Sequence, residues 1–165
     1  RFVNVVLVEK GISDKSGITK LFLDLDTKGS HSLYRKVDEN DSIEIEMTTL
    51  DKFLENMSDK IDVIKIDVEG AESKVLAGME KMLKRKKLII FTEFHPELLE
   101  KSGTEPGKYL DRIIKLGFKL YNINEMKNKL ESVGTKEAIE FCKKEKRPTN
   151  LLCIKGMRLS DIQHV

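Results

Sequence analysis

A chain of 165 residues with 39% apolar content can bury one core, which excludes a disordered polymer. Thirty Lys and Arg against 28 Asp and Glu leave a formal charge of +2, too balanced for a nucleic-acid footprint. No apolar run approaches the roughly 20 residues that span a bilayer.

Phe2 to Val8 is almost continuously apolar and rich in β-branched residues, which predicts a strand covered on both faces of a parallel sheet. Glu9 to Gly17 is a polar turn region. Ile18 to Leu25 and Ile43 to Met47 alternate, as antiparallel ribbon strands with one wet face do. The connection between them, Asp26 to Asp41, has a length more often functional than merely connecting. Thr48 to Asp51 resembles a helix start with Thr48 as cap and Asp51 three residues on, the helix ending near Met57.

Ile61 to Ile66 then reads as a buried strand ending in two carboxylates, Asp67 and Glu69, with Gly70 giving the backbone room to turn. A helix is predicted from Ala71 to Lys84, its inner face built from Val75, Leu76, Met79 and Leu83. Leu88 to Thr92 is the next strand, closing a right-handed βαβ unit and running into Glu93-Phe94-His95-Pro96. A helix follows from Pro106 to Leu116, with Tyr109, Leu110, Ile113 and Ile114 as its buried stripe and Gly117 closing it. Phe118 to Ile123 is a strand. Asn124 to Lys146 is a charged insertion, helical at least from Thr135 to Lys144, and Asn150 to Lys155 is the last strand. The tail from Gly156 lacks periodicity. The basic runs Lys84 to Lys87 and Lys143 to Arg147 sit where cations complement a helix C-terminus. Cys142 and Cys153 form neither a metal spacing nor a disulfide framework, so a reducing, cytoplasmic setting is expected.

In open parallel sheets, ligands bind outside the carboxyl ends of the strands, where Asp67 and Glu69 fall. As first-turn acids they would equally suit the positive end of a helix. If the next strand end faces the same ligand, Asp67, Glu69, Glu93 and His95 converge. A carboxylate or His can deprotonate an oxygen or nitrogen nucleophile, and the same acids offer hard oxygens to a divalent metal. His95 also suits a plain surface position before Pro96. His31 reads as a substrate-loop or solvent residue rather than a catalyst, and His164 as part of the tail.

The chain resembles the FkbM-type methyltransferases. The resemblance rests on Ile64 to Glu72 with Val75-Leu76-Ala77-Gly78, supported by Val5 to Gly17, Thr48 to Asp51, Phe91 to His95 and Asn150 to Leu152. It implies a Rossmann-like class I α/β sheet, mostly parallel with an antiparallel last strand. Phe2–Val8 would be its third strand and Ile61–Ile66 its fourth. The expected spatial order is Ile61–Ile66, Leu88–Thr92, Asn150–Lys155, Phe118–Ile123. Residues 1–165 would form a single domain with an 18–47 β-ribbon insertion, the C-terminal portion of the family's domain.

The resemblance further implies S-adenosylmethionine as cofactor and O-methylation of a sugar, glycan or secondary metabolite, with no nucleic-acid partner and no assigned metal. Gly11, Ile12 and Ser13 would lie near the adenine, and Asp67 beside donor and acceptor. Glu69, Glu93 and His95 would face the acceptor. This chain has no Gly-x-Gly loop after a strand, so the cofactor's main binding loop is expected upstream of Arg1, and residues 1–165 alone are expected to hold it poorly. Two readings from other classes stand beside this one: a non-catalytic α/β binding module, and a metal-dependent hydrolase using the same carboxylates.

Overall fold

The computed structural model describes residues 4–23, 31–34, 41–57 and 61–162. The main sheet contains β4 (Val63–Ile66), β5 (Leu88–Phe94), β6 (Lys119–Asn124), β7 (Lys129–Val133) and β8 (Thr149–Lys155), in the spatial order β4-β5-β8-β6-β7. A smaller sheet joins β1 (Gly11–Ile12), β2 (Gly17–Phe22) and β3 (Ser42–Thr48) in the order β1-β3-β2. The expected order of the four main strands is observed. The ribbon is too, with β2 and β3 antiparallel from Gly17↔Met47 to Phe22↔Ser42. Asp24 and Leu25 lie outside the described residues, as does most of the connection after them.

The main sheet is mixed rather than mostly parallel, which corrects the expectation. Among the described residues of this sheet, only β4 and β5 pair in parallel. The last strand, β8, lies between β5 and β6 and runs against both, and β7 folds back on β6 as a hairpin. That hairpin was not expected inside the charged insertion. Its turn holds Asn128 at φ 48, a left-handed value that Asn tolerates better than most residues.

The predicted strand Phe2–Val8 is also corrected. Residues 1–3 lie outside the described set, and Asn4 to Lys10 carry no strand. Val5, Val6 and Leu7 are 66%, 87% and 86% exposed. An apolar β-branched run becomes a strand only with a ladder partner for its N–H and C=O groups, and among the described residues none stands beside it. The chain instead joins the small sheet at β1, parallel to β3.

Helices pack on one face of the main sheet: α2 (Glu72–Ala77), α3 (Glu80–Leu83), α5 (Pro106–Lys115) and α6 (Thr135–Glu145). Val75, Leu76, Met79 and Leu83 are all buried, as their spacing predicts. The expected single helix from Ala71 to Lys84 is nonetheless split. At Gly78 the backbone meets the Gly11–Ser13 segment so closely that a Cβ would stand 1.9 Å from the Ser13 carbonyl oxygen. Asp51 then accepts from the Lys81 and Met82 N–H groups at 2.8 and 3.1 Å, supplying α3 with its own cap. Thr49, not Thr48, caps the short helix α1 (Leu50–Phe53), which stops before Met57. In α5, Tyr109, Leu110 and Ile113 are buried while Ile114 is 40% exposed. The opposite face of the sheet has a thinner cover, in which Met157, Leu159 and Ile162 of the tail pack on Ile89, Leu152 and Ile154. Cys142 and Cys153 are free and buried. Among the described residues, no helix is long and apolar enough to cross a membrane.

Candidate functional site

The site begins where β4 ends. After Ile66 the chain passes through Asp67 and Val68 and turns on two left-handed residues, Glu69 at φ 49 and Gly70 at φ 96. A side chain at Gly70 would meet the Leu98 carbonyl oxygen at 2.8 Å, so glycine is required there. Glutamate in this conformation costs about 1–2 kcal/mol, and strain of this kind gathers at functional sites. The turn leaves Asp67 exposed and Glu69 half-buried, beside Glu93 from the neighbouring strand β5.

Asp67, Glu69 and Glu93 each offer a carboxylate oxygen within 4.8 Å of the others. They are the three-acid group that the described residues bring close enough to share one small ligand, a hydroxyl or a cation. Lys65, two residues before Asp67 on β4, reaches its Oδ2 at 2.9 Å. The Asp67 hydrogen bond and charge raise the Lys65 ammonium above its ordinary value. The Glu93 carboxyl is pushed up by burial, then by the charges of Glu69 and Asp67, with His95 pulling the other way. An acid raised in this way disfavours its charged form in the folded state. Its stabilising share is complete below the ordinary value of 4.5 and is lost as pH rises through the folded value. Glu93→Gln is therefore expected to raise the melting temperature at neutral pH, with the gain shrinking as pH falls through the raised folded value towards 4.5 and absent below it. Circular-dichroism melts across that range check it; a difference constant with pH would contradict it.

His95 stands apart from this group. It takes the cap position of α4 (Pro96–Lys101) and lines a separate cavity of about 520 Å³ with Glu97, Cys142, Lys143 and Arg147. Its Nδ1 has no hydrogen-bond partner among the described residues. Gly11 and Ile12 line a larger cavity of about 640 Å³, together with Val68, Ala71, ribbon residues Leu21, Ile43 and Ile45, and Asp67. His31 lines it too and is exposed. Ser13 is buried beside it, its N–H on the Thr48 carbonyl at 2.9 Å, and faces a smaller neighbouring cavity. His164 lies outside the described residues.

The larger cavity falls within the roughly 300–1,000 Å³ of small-molecule sites. Its apolar walls at Ile12, Val68 and Ala71 fit a flat aromatic base, and the Asp67 carboxylate at its edge fits a positively charged sulfonium. The residues present suit a ligand with a flat apolar end and a cationic end. Two positions escaped the sequence reading. Ser32 is buried and donates to the Glu69 carbonyl at 3.3 Å, tying the long connection to the turn. Glu72 accepts from the Gly70 N–H at 3.1 Å. Only Glu72 carried a signal, as an acid two residues past a turn glycine.

The sequence model of the methyltransferase FkbM domain family matches residues 4–120. No curated protein and no solved structure matches the chain.

Proposed function

The chain belongs to the FkbM methyltransferase domain family, and from that premise we propose that it transfers a methyl group from S-adenosylmethionine to a hydroxyl of a sugar, glycan or secondary metabolite. The observation that carries this reading is the meeting of Asp67, Glu69 and Glu93 at the ends of β4 and β5, with Asp67 shared by the 640 Å³ cavity. When bound, the cofactor supplies an electrophilic methyl on a sulfonium. The protein's part is to hold an acceptor hydroxyl in line with that methyl and to take its proton. A carboxylate of the three-acid group would take the proton that the acceptor hydroxyl gives up as it is methylated.

Glu93 suits the proton-accepting role, since burial and neighbouring charge raise its basicity. Asp67 suits the sulfonium and the acceptor together. Gly11 and Ile12 form the wall for the adenine, with Ser13 behind them. A base contributes about 10²–10⁴-fold, and alignment of the reacting atoms contributes several kcal/mol more. His95 is left as a residue of the neighbouring cavity, within electrostatic reach of Glu93. The free buried thiols accord with a cytoplasmic setting.

The test is calorimetric titration of S-adenosylmethionine into the full-length protein, with any segment preceding Arg1 in place. Binding in the micromolar range that weakens at least tenfold in Ile12→Asp is the expected result, because a charge in the apolar wall opposes the base. Absence of binding would overturn the reading in favour of a non-catalytic module.

A further inference from the structure

Glu72 opens α2 and is 2% exposed, an acid placed where solvent does not reach. Its Oε1 accepts the Gly70 N–H at 3.1 Å, while Oε2 has no hydrogen-bond partner among the described residues. Burying a carboxylate with one bare oxygen is costly. The cost falls beside the left-handed Glu69–Gly70 pair, a conformation that glycine accepts and glutamate resists. Burial raises the Glu72 carboxyl, and the Glu69 charge adds to the effect.

We propose that Glu72 is the positioning residue of the acid group: by holding the Gly70 N–H it locks the left-handed turn and so sets the Glu69 carboxylate against Asp67 and Glu93. The importance of that group rests on the function proposed above, but the geometry does not. If the turn relaxed, Glu69 would leave the left-handed region and its side chain would depart from the crevice. A hydrogen bond from the inside of the fold opposes this without occupying the space where an acceptor binds.

The groups that act on Glu93 are Asp67, Glu69, Glu72, His95 and Lys65. Removing Glu72 therefore changes Glu93 in two ways, through lost charge and through lost position. Two variants separate them. Glu72→Gln keeps an oxygen for the Gly70 N–H and removes the charge; Glu72→Met fills the space with no acceptor and also removes the charge. The experiment follows Gly70 amide exchange and the Glu93 side-chain carboxyl titration by NMR in the full-length protein. Gly70 exchange is expected to stay slow in Glu72→Gln and to speed up roughly tenfold in Glu72→Met. The Glu93 midpoint is expected to fall further in Glu72→Met, because Glu69 moves away only there. Identical behaviour of the two variants at both groups would overturn the proposal. So would a Glu72→Gln variant as disturbed as Glu72→Met. Neither readout needs cofactor or methyl transfer, so failure of the cofactor titration and failure of this proposal remain separate results.

Discussion

Asp67→Asn is expected to lower methyl transfer by about 10²–10³-fold while leaving the fold intact. The size follows from its place: its carboxylate is the one shared by the three-acid group and the cavity wall. Asparagine keeps the shape and removes the charge, so both the attraction for a sulfonium and any proton acceptance at this atom disappear. The fold is spared because Asp67 makes an exposed ion pair with Lys65, its side chain 48% accessible. Pairs of that kind contribute about 0–1 kcal/mol. The assay follows release of demethylated cofactor in the presence of a hydroxylated acceptor pool, alongside a melt. Lys65→Met serves as the control, since it breaks the same ion pair from the other side. Equal loss in both variants would mean that the pair, not the carboxylate, is what matters.

Phe94→Ala is expected to cost about 3–5 kcal/mol of folding stability. Phe94 is fully buried, and its ring lies parallel to Tyr109 with centroids 6.4 Å apart. Its carbonyl also accepts the Cys142 S–H at 3.7 Å, so strand β5 and helix α6 meet at this residue. Whole domains are stable by only about 5–15 kcal/mol, so the change takes a large share. Denaturant unfolding measures it, with Phe94→Leu expected to lose distinctly less because more of the volume stays filled. The neighbours of Phe94 in sequence are Glu93 and His95, so the same substitution frees the end of β5 that presents them. An unchanged unfolding midpoint would show that the core repacks around the gap.

Patterning along the chain carried the ribbon, β5, α5, α6 and β8, because in each the side-chain period matches the face that is buried. Val75, Leu76, Met79 and Leu83 were readable as a core face for the same reason. The break at Gly78 was not, since it comes from Ser13, more than sixty positions away, pressing on the helix backbone. Asp51 shows the same thing on a smaller scale: its spacing from Thr48 suggested one helix start, and its carboxylate serves another. The run Val5 to Val8 has the composition of an interior strand, yet composition says only that such a run tolerates burial. Strand β7 was hidden because Lys129 and Glu131 gave its segment the look of a charged insertion. At the site, the convergence of Asp67, Glu69 and Glu93 was legible from their places after two adjacent strands. The offset of His95 was not, because it follows from where α4 begins.

Burial pushes the thiols of Cys142 and Cys153 up to about 11 and about 12. At neutral pH the reactive thiolate is then on the order of one part in ten thousand or less. Alkylating reagents and peroxide should find the native protein almost silent. That silence makes the chain a clean background for a single engineered cysteine on the exposed ribbon, at Ile18 for example, which is 73% accessible. A fluorophore attached there would report the approach of the ribbon to the crevice with no competing label, and a sudden uptake of reagent by the two native thiols would time the moment the core opens.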